Sequence, residues 1–137
     1  MKRETYTIGK IDEDYLKMAV QAASRAFGVD SEDILGKSRV QPLVFARMTS
    51  YWLLSVGKGY SYSKTGRMFD RDHAAIMNGI KRVELELELG EESKNINGNW
   101  AGTAKQAYEF FLRFHKVYIE SDVYRVQKET NYVIQPS

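Results

Sequence analysis

Residues 61–89 read SYSKTGRMFDRDHAAIMNGIKRVELELEL, and this stretch decides the fold that the sequence predicts. Its first part favours a short helix, for which Ser61 is a suitable N-cap. A tight turn is predicted at residues 70–71, and a longer helix is predicted over residues 72–89. A short helix, a tight turn and a longer helix have the layout of a helix-turn-helix, whose second helix enters the major groove of DNA.

The longer helix has two different faces. At 100° per residue, its apolar side chains form one stripe that is expected to pack on the other helices. That stripe consists of Ile76, Ile80, Val83 and Leu87. The opposite face is basic at both ends and small in the middle, and it consists of Arg71, Ala74, Asn78, Lys81 and Arg82. Small side chains allow a helix to press into a groove about 12 Å wide.

The residues at the start of this helix suit contacts with DNA. Arg71 can donate two hydrogen bonds to guanine or bind a phosphate, and Asp72 can accept from cytosine. His73 can donate to a base or a phosphate, and Ala74 or Ala75 can offer a methyl group to thymine. Structural alternatives remain at this point: Asp72 as a simple N-cap, Arg71 and Asp72 as a weak surface pair, and His73 as a half-buried structural histidine.

Positive charge is concentrated in one part of the chain. Residues 36–82 contain nine lysines and arginines but only two acidic side chains, Asp70 and Asp72, which gives a net charge of +7. The whole chain carries +2, so the remaining residues carry −5. Such a segregation indicates a polyanionic partner, with a solvated basic surface as the alternative.

The rest of the sequence also predicts helices. A first helix is expected to begin with Asp12 as its N-cap and to stop at Gly28, and one short turn of helix follows over residues 29–36. A long apolar helix is expected to start at Pro42. A last amphipathic helix is expected over residues 103–121, after a polar loop.

We therefore expect an all-α protein in three parts. Residues 1–12 are an N-terminal arm, residues 13–89 are the DNA-binding domain, and residues 90–137 are a loop, an aromatic helix and a tail. The aromatic segment either extends the core, where it would cover Leu85, or forms an interface with a second copy or another protein.

Three collinear motifs within residues 13–89 resemble the C-terminal DNA-binding domain of DnaA-type replication initiators. They are AFGVDSEDILGKSR at 26–39, ARMTSYWLL at 46–54 and DRDHAAIMNGIKRV at 70–83. The resemblance implies a Trp-repressor-like helix-turn-helix bundle, here with an additional C-terminal amphipathic helix. It also implies recognition of a short box in double-stranded DNA.

The resemblance also implies roles for particular residues. Residues 71–74 occupy the family's major-groove positions, and Arg47 matches an arginine that enters the minor groove. Lys81 and Arg82 match a basic pair, and residues 63–64 fall where the family contacts phosphates. The complete set of residues expected to contact DNA is Arg47, Ser63, Lys64, Arg71, Asp72, His73, Ala74, Ala75, Asn78, Lys81 and Arg82.

Three departures from the family affect the target sequence. The family's paired glycines before the arginine are replaced by Asp70 alone, one residue shorter. The family's paired threonines are Ala74 and Ala75 here, so two hydroxyl groups are lost. Asn78 stands where the family usually has histidine. The family's own box sequence is therefore not transferred to this chain.

Several classes of function are not expected. The sequence has no cysteine, and its two histidines have no second ligand at metal spacing, so no catalytic residue, cofactor or metal is expected. It contains no phosphate-binding loop, no signal peptide and no apolar run long enough for a membrane helix. We expect a cytoplasmic protein, nucleoid-associated or phage-encoded, with no membrane partner and no small-molecule substrate.

The function that these observations favour is sequence-specific binding of double-stranded DNA, as an accessory or regulator of replication or transcription without ATPase activity. The alternative is a protein-interaction module whose aromatic C-terminal region binds a replication protein or a second copy. RNA binding is a further alternative, because a basic face with aromatic side chains also suits RNA.

Overall fold

The computed structural model of the protein describes residues 8–92 and 100–121, and within these residues the chain is helical. The helices are α1 (Lys10–Phe27), α2 (Ser31–Leu35), α3 (Leu43–Lys58), α4 (Tyr62–Phe69), α5 (His73–Leu89) and α6 (Trp100–Ile119), with a short 3-10 turn (Gly90–Glu92) after α5. The expected all-α class and helix-turn-helix bundle are confirmed.

Helix α3 is the centre of the bundle. From Phe45 to Leu54 every residue except Met48 is buried, so the helix is enclosed on nearly all sides. Helices α1, α5 and α6 pack around it. A helix that is covered all round belongs to a core, and the apolar sequence of α3 fits that position.

The two helices of the helix-turn-helix have the bounds that the sequence predicts to within a residue. Ser61 caps α4, because its hydroxyl oxygen accepts a hydrogen bond of 3.1 Å from the backbone N–H of Lys64. Asp72 occupies the N-cap position of α5, although its side chain makes no capping hydrogen bond. Phe69, at the end of α4, is buried against the Tyr51 ring at a centroid distance of 4.7 Å.

Helix α6 completes the core. Trp100 packs on Phe45 with ring centroids 4.4 Å apart, and Phe111 is fully buried. Phe111 also occupies the space beside Gly57, where an added Cβ would lie 2.4 Å from its ring. The aromatic helix therefore extends the core, as one of the two alternatives proposed, but it leaves Leu85 44% exposed and does not cover it.

Three boundaries differ from the predictions. Helix α1 begins at Lys10, and Asp12 lies in its first turn, where its carboxylate accepts a 2.9 Å hydrogen bond from Gly9 N–H. The division between an arm and a domain after residue 12 therefore falls inside a helix. Pro42 precedes α3 as its N-cap, and α6 begins at Trp100 instead of residue 103. The tail after Ser121 lies outside the described residues.

Candidate nucleic-acid interface

The first half of α5 presents a continuous exposed surface. Asp72 and His73 are exposed, as are Ala74, Ala75 and Asn78. On the opposite side, Ile76, Gly79, Ile80 and Val83 are buried against the bundle. The surface that the sequence predicts for base contacts is therefore open, and His73 is not the half-buried structural residue that was the alternative.

The turn before α5 is held by the backbone. Asp70 adopts the left-handed conformation at φ 56°, and Arg71 N–H donates a 2.8 Å hydrogen bond to Gly66 O. The chain passes so close to Gly66 that a Cβ there would lie 2.5 Å from Arg71 O. Glycine at this position permits the close approach, which fixes the angle between α4 and α5.

Arg71 is half-buried, and its guanidinium binds backbone carbonyls. It donates to Gly36 O at 2.8 Å, to Asp70 O at 3.2 Å and to Phe69 O at 3.3 Å. In this arrangement the side chain joins the turn to the segment after α2. These bonds use three of the five N–H donors of the guanidinium.

The resemblance implies a minor-groove role for Arg47, and the structure places this side chain inside the protein. Its side chain is only 7% exposed, and its guanidinium donates to Ile34 O at 2.7 Å, Ser38 O at 2.9 Å and Asp33 O at 3.2 Å. Burial lowers the pKa of Arg47 from its ordinary value, and the charge of Arg71 lowers it further. The side chain stabilises the end of α2, whose last carbonyls have no partner inside so short a helix.

The other predicted contact residues are accessible to different degrees. Ser63 is exposed on α4, but Lys64 is half-buried and forms a 3.1 Å ion pair with Asp12. Lys81 and Arg82 are exposed on α5. Arg82 is paired with Glu86 at 3.3 Å, and the Glu86 side chain is 3% exposed.

Three basic residues near the turn were missed by the sequence reasoning. Lys37 and Arg39 are exposed in the loop that follows α2, and Arg71 binds the carbonyl of Gly36 in the same loop. Arg67 is exposed on α4 and lines an open polar cleft at the turn. The basic motif GKSR after a short helix was the sequence signal that could have identified the first two.

The described part of the chain has neither a cluster of acidic, histidine or cysteine side chains fit for a metal ion nor a helix with the length and apolar character that a membrane crossing needs.

Comparison with known proteins gives a match over the same region. A family model described as "Bacterial dnaA protein helix-turn-helix" matches residues 17–83, from within α1 to the middle of α5. The chromosomal replication initiator protein DnaA 2 of Chlamydia caviae is 31% identical over 77 residues, or 56% of this chain. The chromosomal replication initiator protein DnaA 1 of Chlamydia trachomatis is 32% identical over 78 residues, or 57% of this chain.

The similarity is confined to a small part of these relatives. The aligned residues span 17% of the Chlamydia caviae protein and 17% of the Chlamydia trachomatis protein. The same share holds for the DnaA 2 protein of Protochlamydia amoebophila, which is 29% identical over 79 residues. Residues 17–83 of this chain are thus similar in sequence to a bacterial DnaA helix-turn-helix, and they lie within the helical bundle described above.

Proposed function

We propose that this protein binds double-stranded DNA in a sequence-specific manner through the first half of α5. The observation that carries the proposal is the exposed surface of residues 72–78, whose inward neighbours are buried in the core. Asp72, His73 and Asn78 supply hydrogen-bonding groups, and Ala74 and Ala75 supply methyl groups without bulk.

The charge distribution along α5 supports an oriented approach to DNA. Lys81 and Arg82 are exposed a little more than two turns after the helix start, and Glu84 and Glu88 are exposed beyond them. The phosphate backbone attracts the basic part and repels the acidic part. The helix is therefore proposed to enter the groove with its N-terminal end, as helix-turn-helix proteins do.

A second contact is proposed for the basic loop, which we define as residues 36–40. Lys37 and Arg39 are exposed there, and Arg71 joins the loop to the turn before α5. Because these cations lie in a segment bound to the turn, they can bind the DNA backbone or a narrow groove beside the one that α5 occupies. This contact replaces the one that the resemblance implies for Arg47.

In the cell, we propose a role as an accessory or regulator of DNA replication or transcription that needs no ATP hydrolysis by this chain. The relatives are named chromosomal replication initiator proteins, which favours replication. A second candidate is binding to a protein partner, because α6 exposes Leu112, Val117 and Ile119, the second of them by 70%.

Selection from random duplex DNA tests the proposal. The full chain is expected to enrich one short motif, and its affinity for that duplex is expected to fall as salt rises. Lys81→Ala should weaken binding to all duplexes alike and reduce the salt slope by about 1. Lys105→Ala, on the exposed side of α6, is the matched control and should change neither quantity.

Two outcomes would contradict the proposal. A chain that enriches no motif is not sequence-specific, and a chain whose weak binding does not depend on salt does not use its basic surface. Retained binding to a protein partner with indifference to DNA would favour the second candidate.

A further inference from the structure

Two arginines bind the backbone of the basic loop and of the residues just before it. Arg47, on α3, donates to Asp33 O, Ile34 O and Ser38 O, and Arg71, in the turn, donates to Gly36 O. In chain order, the Gly36 carbonyl that binds Arg71 lies between the Ile34 and Ser38 carbonyls that bind Arg47. The loop is therefore attached both to the central helix and to the helix-turn-helix.

Tyr51 lies between these two arginines. It is 4% exposed, and the charges of Arg71 and Arg47 lower the pKa of its hydroxyl while burial raises it. Its ring packs on Phe69 at the end of α4. The buried guanidinium of Arg47 and the half-buried guanidinium of Arg71 thus belong to one arrangement that connects α2, α3 and the turn.

Two like charges so close together repel each other, and their burial is costly. The carbonyl groups offset this cost, because Arg47 has three carbonyl partners and Arg71 has three. Lysine has its N–H donors on a single nitrogen and methionine has none, so neither can replace the three donor nitrogens of the planar guanidinium. The geometry therefore depends on arginine at both positions.

We propose that Arg47 and Arg71 are positioning residues that fix the basic loop against the turn before α5, and so set the spacing between Lys37, Arg39 and the helix on DNA. The inference rests on the proposed function for its DNA part. The attachment of the loop is independent of DNA and can be measured in the free protein.

Trypsin provides the measurement without DNA, because Lys37 and Arg39 are exposed cleavage sites inside the loop. A protease needs a locally released chain, so cleavage after these residues reports the opening of the loop. Arg47→Met and Arg71→Met should each accelerate this cleavage at least tenfold while cleavage after Lys105 in α6 stays unchanged. Arg113→Met, on the exposed side of α6, is the control and should leave both rates as in the wild type.

Lysine variants separate charge from geometry. Arg47→Lys keeps the charge but loses the fan of donors, so it should open the loop as Arg47→Met does. If trypsin cleaves the loop of Arg47→Lys as slowly as that of the wild type, the proposal is overturned. If Arg47→Met fails to fold, Arg71→Met is the variant that tests the proposal, because the Arg71 side chain is only half-buried. An unchanged rate of loop cleavage in Arg71→Met would also overturn the proposal.

DNA binding gives the second readout. On a duplex selected with the wild-type chain, Arg47→Met should reduce affinity at least tenfold without changing the salt slope, because a positioning residue releases no counterion. A slope that falls by about 1 would identify Arg47 as a phosphate contact and overturn its positioning role. If the wild-type chain binds no duplex, the proposed function fails, and the trypsin result still decides whether the arginines hold the loop.

Discussion

Gly66 is the residue at which the turn of the helix-turn-helix is most sensitive to change. Its missing side chain leaves room for Arg71 O, and the neighbour in this contact is backbone, which cannot rotate away. Gly66 is also buried, so an added methyl group could not turn away into solvent.

Gly66→Ala is therefore expected to destabilise the protein by about 1–3 kcal/mol, the usual cost of inserting a methyl group into a packed site. The free energy of unfolding in urea measures the effect. Gly59→Ala is a useful comparison, because it has open space around it but a positive φ of 74°. A Gly66 variant as stable as the wild type would show that the turn can shift.

His73 is an exposed residue that, in the proposed complex with DNA, can contact either a base or a phosphate. It begins α5 and lies beside the small residues Ala74 and Ala75. If it reads a base, His73→Ala should cost about 1–3 kcal/mol on the selected duplex and relax the preference at one base position. Repeated selection with the variant is the measurement, and an unchanged motif with weaker binding would assign His73 to a phosphate.

Helices α1 and α6 are joined by polar contacts as well as by apolar packing. Tyr15 is 1% exposed, and its hydroxyl lies 2.6 Å from His115 Nε2. The Tyr118 hydroxyl donates to Asp14 at 2.9 Å. Tyr60, after α3, donates to Asp12 at 2.6 Å, so three elements converge at the start of α1.

This junction predicts a dependence of stability on pH. Burial and the charge of Lys58 lower the pKa of His115 below its ordinary 6.5. The folded state therefore binds this proton less tightly than the unfolded state, and stability is expected to fall as pH drops from about 7 through 6.5 towards the lowered value. Urea unfolding at pH 7.5, 6.5 and 5.5 measures it, and His115→Gln should flatten the profile.

Asp12 affects a separate pH range. Burial by itself would raise the pKa of this carboxyl, but hydrogen bonds from Tyr60 and Gly9 and the charge of Lys64 lower it below 3.8. The contribution of Asp12 to stability is therefore kept at neutral pH and lost only in strong acid.

A pH profile of stability for His115→Gln that is as steep as that of the wild type above pH 5 would contradict the assignment to His115.

At the scale of the whole molecule, the unit that folds is larger than the unit that is similar to other proteins. The family match ends at Val83, whereas Trp100, Ala104, Ala107 and Phe111 of α6 are part of the buried core. A chain that ends at residue 92 would expose the faces of α1 and α3 that α6 covers. A fragment cannot be cut at the end of the family match without loss of core.

We expect a chain that ends at residue 92 to lose cooperative unfolding in urea, because truncation of even one buried aromatic side chain such as Phe111 costs about 3–5 kcal/mol. A chain that ends at Ser121 is the control, since it retains α6 and separates its effect from that of the later residues. A residue-92 chain with the wild-type midpoint would show that α6 is dispensable.

Much of this architecture follows from local patterns in the sequence. The Ser61 cap, the apolar stripe of α5 and the small exposed residues were all visible from spacing and residue type. The start of α1 was misjudged because Asp12 can accept from an N–H group either as an N-cap or from inside the first turn. Sequence alone does not distinguish these two geometries.

The role of Arg47 could not be obtained in the same way. Its partners lie 9 to 14 residues earlier, in a segment that reaches it only after α2 and α3 have packed. One signal was present: Arg47 and Leu54 are seven residues apart and share a helix face, and Leu54 is fully buried. A basic residue on a buried helix face is better explained by hydrogen bonds to backbone carbonyls than by contact with DNA.

The outward face of α5 has a consequence for how such a protein diversifies. Ala74 and Asn78 are exposed, while Ile76 and Ile80 on the inward side hold the helix in place. If this face binds DNA as proposed, a substitution on the outward side leaves the buried interface intact and changes which base is favoured. After a gene duplication, one or two substitutions on this face could thus give the second copy a different DNA target sequence while its buried core stays the same.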